Sequence, residues 1–134
     1  MPKKILMIIS DLGSGGAQKN FTFVANLLAR NDFDLSILKF NNEKSFFKID
    51  NKIKIYNLNL LYISKNIFQK ITYNVYRIFK IRRFIKKKCP NIIISFMNQT
   101  NILTILASMM TNSKVIISDR NNPKKQPDHF FGNS

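Results

Sequence analysis

The sequence predicts an α/β fold: a Rossmann-like, doubly wound, mainly parallel sheet of about five strands with flanking helices. Short apolar runs alternate with longer segments of helical periodicity along the 134 residues. The first run leads directly into a glycine-rich loop, and a helical pattern follows at once. Because a helix that links two strands favours right-handed crossovers, this alternation indicates parallel pairing. A chain of this length fits one domain.

Five apolar runs have the length and composition of strands. They are Lys4–Ile9, Leu35–Phe40, Ile53–Leu58, Asn91–Phe96 and Lys114–Ser118. The first, fourth and fifth show little polar alternation, which predicts strands covered on both faces.

Helical periodicity follows three of these strands. The predicted helices are Ala17–Arg30, about Asn66–Lys88 and about Thr100–Met110. The polar connection Asn41–Asn51 has no such periodicity, and we expect its Phe46 and Phe47 to pack against the sheet.

The glycine loop contains Gly13, Gly15 and Gly16, three of the four glycines in the chain. A sharp strand-to-helix turn of this kind presents free backbone N–H groups that favour an anion. Gln18 replaces the third glycine of a dinucleotide fingerprint, and Lys19-Asn20 does not complete a P-loop. The alternative is that the turn itself needs glycine.

Ligands of doubly wound sheets bind beyond the carboxyl ends of the strands. Three polar loops leave these ends, Ser10–Gly16, Ser95–Asn101 and Ser118–Asn122, and we expect them to converge on one crevice. Asparagine amides such as those of Asn98 and Asn101 suit sugar hydroxyls, and Arg120 can hold a phosphate or carboxylate. Turn formation and helix capping are the alternative roles of the asparagines.

The net charge of +15 is unevenly distributed, because no acidic residue lies between Asp50 and Asp119. On the second helix, Ile67, Phe68, Ile71, Val75, Ile78, Phe79 and Ile85 form the side predicted to pack on the sheet. The opposite side mixes cations and aromatic rings: Lys70, Tyr73, Tyr76, Arg77, Lys80, Phe84, Lys87 and Lys88.

Such a basic, aromatic side suits an anionic membrane surface. An ordinary amphipathic helix is one alternative, and a basic nucleic-acid-binding module is another. No apolar run reaches the ~18 residues that a spanning helix requires, and the first run is too short for a signal peptide. Cys89, the single cysteine, has no partner for an internal disulfide. We therefore expect a cytoplasmic protein that is peripheral on the inner face of the cytoplasmic membrane.

Three segments in order resemble the N-terminal half of family 4 glycosyltransferases. They are Ser10–Gln18 with Ala25–Leu28 in the following helix, Ile93–Met97 with Thr100-Asn101, and Ile116–Pro123. The likeness is greatest to bacterial enzymes that add hexose or N-acetylhexosamine residues to polyprenyl-diphosphate-linked oligosaccharides, and it covers essentially the whole chain.

The resemblance implies a retaining sugar-nucleotide transferase of two Rossmann-like domains, the two-domain B-fold. Gly15 and Gly16 would then offer N–H groups to the donor diphosphate, and Arg120, Asn98, Asn101 and Ser118 would face phosphate or acceptor. It implies no metal and no cofactor besides the sugar nucleotide as co-substrate, and it does not identify the catalytic residues.

In this family a second domain binds the nucleotide and supplies a pair of glutamates. We expect residues 1–122 to form the acceptor-side domain and residues 123–134, with His129, a truncated tail. The C-terminal donor-binding domain is then missing, so the chain alone is expected to be inactive. A membrane-docking subunit of a split glycosyltransferase, completed by a separate chain, is the remaining alternative.

Overall fold

A computed structural model of the chain describes residues 3–60 and 66–118. The elements, in chain order, are β1 (Lys4–Ile8), α1 (Gly16–Arg30), β2 (Asp34–Lys39), β3 (Lys54–Asn57), α2 (Ile67–Lys88), β4 (Ile92–Phe96), α3 (Asn98–Ser108) and β5 (Lys114–Ser118). The strands form one sheet in the order β3-β2-β1-β4-β5, and every neighbouring pair is parallel. The predicted fold class is confirmed.

Two apolar clusters cover the two faces of the sheet. On one face α1 packs through Phe21, Ala25 and Ala29 against Ile5 and Met7 of β1. On the other face, where Leu6 and Ile8 of the same strand point, the cluster includes Ile81 and Ile85 of α2 and Leu103 and Ala107 of α3. This division follows from the period of two along a strand, which sends successive side chains to opposite faces.

The strand order changes direction between β1 and β4. From β1 the chain moves through α1 to β2 on one side, whereas β4 lies on the other side and continues through α3 to β5. The loops that follow β1 and β4 therefore separate toward opposite faces of the sheet. A crevice at such a switch point is where this class of fold binds ligands.

Helix α2 packs on the sheet through a different side from the one predicted. Its buried residues are Arg77, Ile81 and Ile85, and only Ile85 belongs to the side expected to face the sheet. Phe68 and Phe79 are instead 79% and 62% exposed. The orientation predicted from helical periodicity is wrong because it places Arg77 on the side that faces away from the sheet. Its stem can cover apolar surface, and its guanidinium lies 5.4 Å from the ring centre of Phe40.

The same rotation changes the predicted membrane-facing set. Arg77 is buried, and the ring of Phe84 packs edge-on against Tyr56 with the ring centres 5.2 Å apart. Lys70 and Lys87 are exposed, while Tyr73 and Lys80 are half-buried. Arg77 and Phe84 therefore face the protein interior, and a membrane role for the other four residues stays a prediction.

Two smaller expectations are wrong, and the expectations for the tail are not tested. Phe46 is exposed and stacks edge-on against Phe47, so it does not pack against the sheet as predicted. Strand β5 lies at the sheet edge with no fully buried residue, so it is not covered on both faces. The predicted tail, His129 and Arg120 lie outside the described residues. None of the helices in 3–60 and 66–118 has the length and apolar character to cross a bilayer.

Candidate functional site

The loop between β1 and α1 is held by one carboxylate. Oδ1 of Asp11 accepts a hydrogen bond from the N–H of Gly13 at 2.9 Å and another from Nε2 of Gln18 at 2.8 Å. Gln18 is in the first turn of α1 and is buried. The first contact is an aspartate turn of the kind that asparagine and aspartate favour, and the second ties the loop to the helix. The glycine loop is thereby fixed relative to α1.

The start of α1 offers donors to an anion. Gly15 is the residue before the helix, it supplies no side-chain cap, and the first turn contains no acidic residue. The first N–H groups of a helix have no partner inside it, and the helix dipole makes this end positive. Gly15 and Gly16 are both exposed. These properties are those of a phosphate-binding helix start.

Glycine is present at positions 15 and 16 for different structural reasons. A Cβ added at Gly15 would overlap Oε1 of Gln18, so glycine leaves room for the Gln18 side chain. A Cβ added at Gly16 would meet no atom within 4 Å. Packing within the described chain does not require glycine at position 16, whereas close approach of a ligand would.

Met97 joins the loop after β4 to the loop after β1. Its Sδ accepts from Oγ of Ser10 at 3.5 Å and lies 3.9 Å from Nε2 of Gln18. The residue precedes α3 with a φ of 79° and a ψ of 137°. This left-handed φ is unfavourable for a side chain other than glycine, and backbone strain of this kind clusters at functional sites.

Asn101 links α3 to the end of β5. Its Nδ2 donates to the carbonyl oxygen of Ser118 at 2.9 Å. Its Oδ1 is buried and accepts no hydrogen bond from residues 3–60 or 66–118. The NH2 group of the Asn101 side chain therefore joins α3 to β5. Asn98, the first residue of α3, is exposed at the same end of the sheet.

The structure thus brings together most of the residues expected to form a crevice. Gly15 and Gly16 lie after β1, Asn98 and Asn101 after β4, and Ser118 ends β5, at the carboxyl ends of three adjacent strands. Arg120 lies outside the described residues. Whether these residues bind donor or acceptor stays a prediction.

Sequence reasoning did not assign the residues that shape this crevice, which are Asp11, Gln18 and Met97. An aspartate two residues before a glycine is a turn signal that could have indicated the role of Asp11. Nothing in the sequence signals the backbone conformation of Met97. The described residues contain no group of three or more His, Cys, Asp or Glu side chains that could hold a metal ion.

Two curated proteins share this sequence pattern. An alpha-1,4-N-acetyl-D-galactosaminyltransferase of Campylobacter jejuni, whose name specifies a diNAcBac-PP-undecaprenol-linked acceptor, is 33% identical over 119 residues, 89% of this chain. An uncharacterized glycosyltransferase of Haemophilus influenzae is 32% identical over 117 residues, 86% of this chain. This chain is related to glycosyltransferases. It spans about a third of the length of these relatives, 33% and 31% respectively. No protein-family model matches the chain.

Solved structures share the fold of this chain at low sequence identity. Sucrose-phosphate synthase from Thermosynechococcus elongatus superposes with a TM-score of 0.67 at 11% identity, covering 96% of this chain and 38% of that one. UDP-GlcNAc 2-epimerase from Methanocaldococcus jannaschii gives 0.66 at 21% identity, covering 90% and 34%. Since a synthase and an epimerase both match, the fold alone does not choose the reaction.

Proposed function

We propose that this chain forms the acceptor-side, N-terminal domain of a two-domain family 4 glycosyltransferase. The enzyme would transfer a hexose or N-acetylhexosamine, with retention, from a sugar nucleotide to a lipid-linked glycan. The observation that carries the proposal is the open start of α1 at the switch point, where Gly16 leaves space for a ligand. The sequence relationship to a transferase named for an undecaprenol-linked acceptor supports the acceptor class.

The donor diphosphate would bind at the glycine loop. Backbone N–H groups at Gly15, Gly16 and Ala17 would donate hydrogen bonds to its oxygens. Arg120, which follows β5 in the sequence, would contribute a cation. Negative charge develops on the leaving diphosphate during transfer, so fixed donors aimed at it lower the barrier. The clamp of Asp11 and Gln18 supports this role because it orders the loop before a ligand arrives.

The acceptor would be delivered at a membrane surface. Helix α2 carries the exposed apolar residues Phe68, Ile71, Val75 and Phe79 beside cations such as Lys86. Rings at headgroup depth and lysines near anionic lipids are the features of helices that lie in a membrane interface. The proposed location is therefore the inner face of the cytoplasmic membrane. The sequence analysis predicts that the basic, aromatic side of α2 contacts the membrane. In this proposal the exposed apolar side of α2 makes that contact.

A second domain would complete the cleft by binding the nucleotide. The relatives are about three times as long as the matched region, which supports a partner of this kind. It belongs either to a longer form of this protein or to a separate chain. The nucleic-acid-binding alternative gains no support from the named relatives.

The diphosphate site can be tested on the chain as it is. Inorganic pyrophosphate is titrated into the 15N-labelled protein, and the amide resonances of Gly15, Gly16 and Ala17 are followed by NMR. We expect saturable shifts at these amides in the wild type and loss of about tenfold or more in affinity in Gly16→Ala, because the added methyl enters the space before the helix. The matched control is Leu27→Ala, an exposed position on the same helix. Unchanged affinity in Gly16→Ala overturns the proposed diphosphate site.

A further inference from the structure

A cavity lies at the edge of the sheet where the strands begin, opposite the glycine loop. Its volume is about 180 Å³, and the residues that give it chemistry are Lys4, Asp34, Ser36, Lys54, Tyr56 and Lys88. Since one water molecule occupies about 30 Å³ in the liquid, this cavity has room for a phosphate group. The site proposed for the donor diphosphate is at the carboxyl ends of the same strands, so the two are separate.

The sheet brings the three lysines to this edge. Lys4 is the first residue of β1 and pairs in register with Asp34, and Lys54 is the first residue of β3 and pairs with Ser36. Parallel strands start at the same edge. Lys88 is the last residue of α2, from where the chain turns through Pro90 into β4. The cavity is therefore formed by regular elements.

Lys88 is held in place by contacts within the cavity. Its Nζ donates to the hydroxyl of Tyr56 at 3.0 Å and lies 4.3 Å from the centre of the Tyr56 ring. Its carbonyl oxygen accepts from Nζ of Lys4 at 3.4 Å. The hydrogen bond from Lys88 lowers the pKa of Tyr56, and the charges of Lys88 and Lys54 add to this effect. Two of the lysines that line the cavity therefore act on the same hydroxyl.

The charges that line the cavity do not balance. Three lysines and one acidic residue, Asp34, line it. Assembling like charges is unfavourable unless an anion or water separates them. An anion with more than one negative charge would reduce this repulsion and accept hydrogen bonds from Lys54, Lys88 and the hydroxyl of Ser36.

We propose that this cavity binds a phosphate or diphosphate group through Lys4, Lys54 and Lys88. The geometry favours a compact, multiply charged anion because the cations come from three elements around one small space. The group can be free in solution or part of a lipid headgroup. In either case it occupies a site that does not overlap the glycine loop.

The test is NMR of the full chain with 13C-labelled tyrosine and 15N-labelled lysine. Inorganic pyrophosphate and, separately, vesicles containing phosphatidic acid are titrated against vesicles of phosphatidylcholine alone. We expect saturable shifts at the Tyr56 ring and at Nζ of Lys88, and about fivefold weaker binding in Lys54→Gln, which removes one exposed cation. Shifts with pyrophosphate indicate a soluble ligand, and shifts with phosphatidic acid vesicles alone indicate a lipid headgroup.

Lys52→Gln is the matched control, since it removes the same charge from an exposed lysine that does not line the cavity. Absence of shifts with both probes, or equal affinity of Lys54→Gln and Lys52→Gln, overturns the proposal. Far-ultraviolet circular dichroism verifies that each variant is folded. Shifts at Gly15 and Gly16 report the other site independently, so either proposal can fail alone.

Discussion

Gln18 and Asp11 are joined by a hydrogen bond of 2.8 Å from Nε2 to Oδ1, and this bond connects α1 to the turn that precedes it. The same carboxylate oxygen also accepts from the N–H of Gly13. One oxygen atom thus orders both the turn and the first turn of the helix. We therefore expect the conformation of the glycine loop to depend on this single acceptor.

Replacing Asp11 tests this dependence. Asp11→Ala removes the acceptor for Gly13 and Gln18, and we expect the free energy of unfolding to fall by about 1–3 kcal/mol because partly buried donors lose their partner. Asp11→Asn keeps an oxygen at the same place and should cost much less. Urea denaturation followed by circular dichroism measures both. Equal losses in the two variants would contradict the role assigned to Oδ1.

The two neighbouring glycines should respond differently to alanine. In Gly15→Ala the new Cβ displaces the Gln18 side chain, so the bond to Asp11 is lost at a cost of about 1 kcal/mol. Gly16→Ala adds a better helix former with no steric conflict and should raise stability by up to about 1 kcal/mol. Thermal unfolding of the two variants compares them directly. The same sign of change in both would show that the packing around Gln18 is different.

The orientation of α2 can be measured by truncating one residue on each side. Ile81 is fully buried, and Ile81→Ala should destabilise the fold by about 2–5 kcal/mol. Phe79→Ala removes a larger side chain that is mostly exposed, so we expect a change within about 0.5 kcal/mol. Denaturant unfolding gives both values. A larger loss of stability in Phe79→Ala than in Ile81→Ala would support the orientation predicted from periodicity.

The exposed apolar side of α2 should control membrane binding. Phe68→Ser combined with Phe79→Ser is expected to weaken sedimentation with anionic liposomes by about tenfold or more, since two aromatic rings no longer enter the interface. Phe46→Ser is the control, because that ring is exposed but lies between β2 and β3. Single-stranded oligonucleotides at matched salt provide the competing ligand. Preferential binding to them would contradict a membrane surface.

The ionisation of Tyr56 should depend on Lys88. Lys88 lowers the pKa of this hydroxyl from its ordinary value of 10.0, so Lys88→Met should raise it. Because the pKa is lower in the folded state, the resulting stability is present above the ordinary pKa and is lost as pH falls through the folded value. The effect is therefore confined to alkaline pH. A pH titration of 13C-labelled tyrosine measures it, and an unchanged pKa would contradict the hydrogen bond.

The strands and helices were predicted within about two residues because apolar runs and helical periodicity follow directly from burial. Strand β5 has the predicted bounds, Lys114–Ser118. The orientation of α2 was not predictable, since the burial of Arg77 depends on Phe40, a residue distant in sequence. Gly15 and Gly16 lie at a helix start as expected, but the bonds of Asp11 and the φ of Met97 depend on three-dimensional neighbours.

The glycine loop extends from the central strand of the sheet. Strand β1 is hydrogen-bonded on both sides, and Met7, Ile8 and Ile9 are completely buried before the loop begins. Local opening of β1 would require breaking its pairing with two neighbouring strands, so amide exchange in this strand should be governed by global unfolding. Residues 67–76 of α2 have only exposed or half-buried side chains, so their amides should exchange through local opening. A slowly exchanging strand beneath the crevice and a readily opened surface helix thus coexist in one small domain.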